Sequence, residues 1–263
     1  MVAHAVKPKV FVVGATGIDR AGMQAYLDDI GTGWDVPEDA TTGLLEFYGR
    51  LCYKSFEVGM NPNVTRIRED HDEYVTNIIR SKHGSIFESV LINFVARDVS
   101  RVFTHECVRH RVGTHFSQES MRYVRFSEDM PYRMPSCIVE DEWASAFWAE
   151  KWDLMQAWQR ELADHFGVDD MRSFHKKKVL TSAFRDLIGQ GVATQFGFSM
   201  NLRTLRHVLE LRTADGVEEE FVVVAGMIMD EVRSRWPLVF RDFVELPVAG
   251  RPQPALVPEW SKI

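Results

Sequence analysis

Arg109-His110-Arg111-Val112-Gly113-Thr114-His115-Phe116-Ser117-Gln118-Glu119-Ser120-Met121-Arg122-Tyr123 is the stretch that decides what this chain can be. Three adjacent cationic or titratable side chains lead into a glycine, then into hydroxyls and amides, then into a further arginine. Such a set is rich in hydrogen-bond donors for anionic oxygens and offers little to a hydrophobic core. A guanidinium grips phosphate through a planar fork. The segment therefore reads as a site for a phosphate and a heterocycle.

The rest of the chain is compatible with that site. It has 263 residues, 45% of them hydrophobic, enough to bury a sizeable core. Lys and Arg number 31 against 38 Asp and Glu, a formal net charge of −7. Proteins that hold long nucleic acid through counterion release are generally basic, so a small anion is the expected ligand and nucleic acid is not. A pocket in an acidic protein can still be strongly positive. Cys52, Cys107 and Cys137 show no CxxC spacing, so neither a disulfide framework nor a thiolate metal site is expected. No segment has the pattern of a signal peptide, and no apolar run approaches ~18 residues. A soluble, cytoplasmic protein without a membrane partner is expected.

Toward the N-terminus, Lys9 to Gly14 is a short apolar run closed by glycine and predicts a buried strand. The glycines from Gly14 to Gly22 lack GxGxxG spacing, and Gly31 to Ala40 reads as loop rather than as a second strand. An ordinary turn is expected there, not a dinucleotide-binding one. Leu44, Leu45, Tyr48 and Leu51 predict a helix over Thr41 to Tyr53. Tyr74, Ile78 and Ile79 predict another over Glu69 to Ser81. After a His83-Gly84-Ser85 turn, the alternation of Val90, Ile92, Phe94 and Ala96 predicts a strand over Ser89 to Arg97. Val99 to Arg109 reads as helix. Arg101, His105 and Arg109 would then form one cationic ridge, either a solvated face or part of the site.

Toward the C-terminus, Asp141 to Phe166 predicts a long amphipathic helix with Trp143, Trp148, Trp152 and Trp158, a stripe suited to core or subunit interface. His175-Lys176-Lys177-Lys178 reads as a solvated helix start. Val192 to Met200 stays open between a strand and a helical turn. Thr204 to Arg212 and Glu218 to Arg235 predict further helices. With no repeat, low-complexity tract or linker, the expected architecture is one α+β domain over 1–263. Its small antiparallel sheet is flanked by helices, and residues 1–40 are partly an N-terminal extension.

A second constellation runs from Asn201 to Arg212. Arg203, His207 and Glu210 share one face of the expected helix, and Leu205, Val208 and Leu209 the other. Arg212 lies with the apolar stripe. A buried arginine is costly unless an anion meets it. Two partners stay open: an internal carboxylate such as Glu218, Glu219 or Glu220, or a ligand's carbonyl or phosphate.

Arg109-His110-Arg111 followed by Ser120-Met121-Arg122-Tyr123 resembles the signature of the flavin-dependent thymidylate synthases, which is Arg-His-Arg, seven residues, then Ser, usually continuing x-Arg-Tyr. Arg50-Leu51-Cys52-Tyr53 is similar to that family's Arg-x-Cys/Ser-Tyr/Phe. His83-Gly84-Ser85-Ile86-Phe87-Glu88 resembles its His-x-Ser/Thr-x-x-Glu turn, while Asn201-Leu202-Arg203 and Leu211-Arg212 resemble its Asn-x-Arg and terminal Leu-Arg. The resemblance runs over roughly residues 45 to 240. It implies a homotetramer with FAD and active sites shared between subunits, converting dUMP to dTMP. Methylenetetrahydrofolate would supply the carbon as cosubstrate, and NADPH the electrons.

Residue by residue, the resemblance implies that Arg109, His110, Arg111, His83, Ser85, Asn201, Arg203 and His207 contact FAD. Ser120 and Arg122 would hold dUMP, with Gln118 near both ligands. Arg109, Glu106, Glu119 and Arg185 complete the implied nucleotide set, and Arg212 would stand at the uracil ring as the catalytic group. No metal site is implied. The charge that builds on the ring's O2–N3 region is of the kind a buried guanidinium stabilises without titrating. Because the flavin carries the redox step, no protein nucleophile is required, and no GxSxG elbow is present.

The chain departs from the family in places. Eight residues separate Arg111 from Ser120, so one residue within Val112 to Phe116 is extra. Glu106 stands where the family often has a nucleotide-binding Gln, Ser117 where it often has Asn, and Gly216 where a His is frequent. Two other readings therefore stand beside the first. One is a flavin enzyme of the same fold that methylates UMP or hydroxymethylates. The other is a nucleotide- or RNA-binding module, against which the net charge and the lack of an aromatic platform near the patch weigh.

Overall fold

A computed structural model describes residues 2–261. The chain opens with β1 (His4–Val6) and β2 (Lys9–Ala15), then α1 (Arg20–Ile30), α2 (Ala40–Tyr53) and α3 (His71–Arg80). A 3-10 turn over Gly84–Ser89 leads to β3 (Leu91–Ser100), α4 (Arg101–Cys107), β4 (Thr114–Gln118), β5 (Pro131–Arg133) and α5 (Ser136–Val139). There follow α6 (Glu142–His165), α7 (Phe174–Phe184), a 3-10 turn over Arg185–Leu187, β6 (Ala193–Asn201), α8 (Leu202–Leu211) and α9 (Glu219–Arg235). The last elements are α10 (Pro237–Phe240), β7 (Phe243–Leu246) and β8 (Ala255–Pro258).

The main sheet is antiparallel, in the order β2-β3-β6-β4. Register puts Ile92 beside Met200, Phe94 beside Phe198 and Ala96 beside Phe196, with Phe116 of β4 on the other flank of Phe198. One face is therefore a continuous aromatic layer; Phe94 and Phe198 stack at 5.1 Å, Phe116 and Phe196 at 5.7 Å. Helix α9 contributes Phe221, Val224, Ala225, Ile228, Met229 and Val232 to the same core, and α8 adds Leu205, Val208 and Leu209. The expected antiparallel sheet flanked by helices is what forms. Two short pairs are additions: β1 with β5, which is parallel, and β7 with β8.

Three local expectations need correction. Residues 20–30 form a helix, which begins inside the ordinary turn expected over Gly14 to Gly22 and ends before the loop expected over Gly31 to Ala40. Asp19 caps α1 by accepting from the Gly22 N–H, and Gly31 closes it in the left-handed region. Met23, Tyr26, Leu27 and Ile30 recur at helical spacing and pack into one cluster with Phe56. The helix expected over 99–109 is only α4: Val99 and Ser100 finish β3, and the Ser100 hydroxyl then caps α4 by accepting from the Phe103 N–H. Arg109 falls beyond that helix, so the ridge of Arg101, His105 and Arg109 does not form on one element. Val192 to Met200, left open, becomes β6 because Phe196, Phe198 and Met200 must all face the core.

The tryptophan stripe of α6 splits. Trp152 is buried and stacks on Tyr132 at 4.9 Å, whereas Trp143 and Trp158 are exposed. The basic run at the start of α7 is not all solvated: the Lys178 ammonium stands over the Tyr123 ring. That ammonium and its hydrogen bond lower the Tyr123 pKa.

Candidate active site at the junction of two arginine segments

Strand β6 ends at Asn201, and this residue joins the two constellations. Its amide N–H donates to the Gly113 carbonyl at 2.9 Å, while its side-chain oxygen caps α8 by accepting from the Thr204 N–H at 2.9 Å. The Thr204 hydroxyl donates to the Val112 carbonyl at 2.7 Å. The Arg109–Gly113 turn is thereby keyed into the N-terminus of α8. Gly113 is required for this: its φ is +66°, and a Cβ there would fall 2.2 Å from the Asn201 amide nitrogen. The Thr114 hydroxyl bonds back to the His110 carbonyl at 2.8 Å and tightens the turn.

Arg212, the C-cap of α8, meets the same turn from the other end of the helix. Its Nε donates to His110 Nε2 at 2.7 Å, its Nη1 to the Glu106 carboxylate at 2.8 Å and its Nη2 to the Glu106 carbonyl at 3.2 Å. The guanidinium also lies over the Phe221 ring at 4.9 Å. The internal partner is thus Glu106, not the acids after the helix. Glu218, Glu219 and Glu220 gather instead around Arg133, 2.9 Å from Glu219, and Glu220 also accepts from Ser100. Because His110 Nε2 accepts, the ring is neutral with its proton on Nδ1. Burial, then the neighbouring Arg212 and His207, pull its pKa down to about 4. Burial pushes the adjacent Cys107 thiol up to about 12, which leaves it unreactive.

Arg109 and Arg111 are exposed, and no ion pair or hydrogen bond among the described residues engages either side chain. Arg203 pairs with Glu88 at 2.5 Å, which fastens the 83–88 turn to α8. His83 lies 3.5 Å from the Tyr53 hydroxyl. These contacts link the segments around 50–53, 83–88, 109–113 and 201–212 to one another. Arg50 is the exception in kind: it is buried and spent on Glu46 and on two backbone carbonyls.

The remaining candidates form a separate patch. Gln118 Nε2 donates to the Thr104 hydroxyl at 3.1 Å, and the Ser120 hydroxyl accepts from the Arg122 N–H at 3.3 Å. The Glu119 carboxylate accepts from Gln195 at 3.2 Å, and its carbonyl accepts from Arg101 Nη2 at 3.1 Å. Burial and then the nearby Arg185 depress the Arg101 pKa. Among the described residues, no hydrogen bond or ion pair joins Ser120, Arg122 or Arg185 to Arg212. Sequence reading passed over Arg101 and Gln195 as parts of this patch. Only Arg101 carried a signal, its place in the expected ridge.

Among the described residues, no group of three or more His, Cys, Asp and Glu side chains is placed to hold a metal ion, and no helix is long and apolar enough to cross a membrane. The donor set at the junction suits a flavin nucleotide: unengaged guanidiniums for its phosphates, and amide, hydroxyl and imidazole groups for its ring.

The fold is mixed, and its arginine turn is locked into a second arginine-bearing helix. Residues 38–238 match the family model for thymidylate synthase complementing protein, and the chain belongs to that family. It is 28% identical over 218 residues to a flavin-dependent thymidylate synthase of Corynebacterium aurimucosum, covering 81% of this chain and 85% of that one. The flavin-dependent thymidylate synthase ThyX of Helicobacter pylori, solved with FAD and dUMP, shares the fold with a TM-score of 0.58 at 17% identity, over 89% of this chain and 98% of that one. The UMP/dUMP methylase PolB of Streptomyces cacaoi, bound with 5-Br dUMP, gives a TM-score of 0.61 at 14% identity, over 91% and 95%.

Proposed function

We propose that this chain is an FAD-dependent thymidylate synthase, making dTMP from dUMP with methylenetetrahydrofolate as carbon donor and NADPH as reductant. The observation that carries this reading is the keying of the Arg109–Gly113 turn into Asn201, with Arg212 closing on His110 from the far end of α8. Family membership and the FAD- and dUMP-bound relative support it.

Arg109, His110 and Arg111 would hold FAD together with His83, Ser85, Asn201, Arg203 and His207, and neutral His110 also fixes the plane of Arg212. Arg212 faces the uracil carbonyl and stabilises negative charge there. Bound FAD supplies the electron transfer; the protein binds, orients and excludes water. Ser120 and Arg122 hold the nucleotide phosphate with Arg185, and Gln118 lies between the ligands. No hydrogen bond or ion pair among the described residues joins this patch to Arg212, and the reading includes a homotetramer of single-domain subunits, each site drawing on two or more of them.

The test is dTMP formation from dUMP by purified, yellow protein under reducing, folate-supplied conditions; absence of dTMP sinks the reading. Mixing Arg122→Ala and Arg212→Ala proteins tests the sharing, since partial recovery of activity requires sites built from both. A second reading, action on UMP or a hydroxymethylated product, is favoured by the carboxylate of Glu106 beside Arg212. Parallel assays of UMP and dUMP with product mass spectrometry separate the two.

A further inference from the structure

Every guanidinium nitrogen of Arg212 is engaged, yet the engagements differ in kind. Nη2 rests on a backbone carbonyl and Nε on the ring of His110, both fixed by the α4 end and the keyed turn. Nη1 rests on the Glu106 carboxylate at 2.8 Å. The Glu106 side chain is 42% exposed, against 16% for Arg212, so it can swing into water without moving backbone. Three of its five N–H donors are engaged, and the Nη1 contact is the one that an incoming acceptor can displace by moving only a side chain.

We propose that Glu106 sets nucleotide affinity by competition: its carboxylate occupies the Nη1 position that the nucleotide's carbonyl takes, so binding is an exchange of one acceptor for another. This rests on the reading that Arg212 faces the nucleotide ring. A charged acceptor makes a bond roughly twice as strong as a neutral one, so the carboxylate is a strong competitor for a neutral carbonyl. Once displaced, it remains close to an anionic ligand and opposes it. Both effects weaken ground-state binding. An amide at this position removes both while keeping the shape.

Calorimetric titration of dUMP into the flavin-loaded protein tests this without turnover. Glu106→Gln and Glu106→Ala are both expected to lower the dissociation constant roughly three- to tenfold, the span set by a half-exposed ion pair. Unchanged or weaker binding in both overturns the proposal, as does a gain in Glu106→Gln alone, which marks a new amide contact. Arg212→Ala separates the underlying reading: it is expected to bind dUMP more weakly. Binding as tight as in the unmodified protein shows that Arg212 does not face the nucleotide at all. Flavin absorbance and the thermal midpoint of each variant establish that it is folded.

Discussion

Helix α8 and the turn docked on its N-terminus carry arginines in two opposite settings. Arg206 points into the core, where both its Nη atoms meet Asp242 at 2.8 and 2.7 Å; its side chain is 3% exposed and that of Asp242 0%. Across the helix end, Arg109 and Arg111 of the docked turn stand in solvent with no partner among the described residues. Sequence composition does not tell these groups apart. Engagement does: an arginine held by a buried carboxylate supports the fold, as Arg206 does although its Nε has no partner, and one whose side chain is unengaged is available to a ligand. Arg212 lies between the extremes: of its five N–H donors, two rest on His110 and a backbone carbonyl and one on the partly exposed Glu106 carboxylate.

The sharpest way to break this contrast is at its closed end. Arg206→Met leaves the Asp242 carboxylate buried without its partner and is expected to cost about 3–5 kcal/mol in urea unfolding. A loss under ~1 kcal/mol means that the pair is not structural. Gly113→Ala forces a Cβ into Asn201 at a left-handed residue and is expected to cost about 1–3 kcal/mol, with loss of bound flavin. Retention of both stability and colour breaks the proposed keying.

Acidification probes the middle of the range. His110 ordinarily titrates near 6.5 but near 4 here, so between these values the unfolded chain binds more protons than the folded one. Its contribution is whole above about pH 6.5 and is lost as pH falls toward 4. A His110→Asn variant is expected to show a flatter thermal midpoint across that window, and an identical slope counts against the neutral imidazole. The smallest effect on stability belongs to the open end: Arg109→Ala and Arg111→Ala are expected to shift unfolding by less than ~0.5 kcal/mol while releasing flavin. Unchanged flavin content in both removes these residues from the site.

Much of the fold was legible. The alternation of Val90, Ile92, Phe94 and Ala96 marks β3, and the spacing of Leu205, Val208 and Leu209 marks α8, because each pattern matches the period of one buried face. Residues 193–201 were ambiguous because a central strand, apolar on its core face and closely packed, loses clean alternation. The extent of α4 was misread because Ser100 both ends a strand and caps a helix, a division set by its partners and not by propensity.

What the order of residues fixed by itself was the chemistry: a donor-rich arginine turn, a second arginine helix, an acidic chain with no metal cluster in view, and enough apolar pattern for a mixed fold. Which arginines are spent and which are free was decided only in three dimensions. Glu106 reached Arg212, Asp242 reached Arg206 and Glu218 to Glu220 went to Arg133 because strand register and helix packing fixed those distances. Coulomb attraction between close charges depends on separation and burial, and neither is written along the chain.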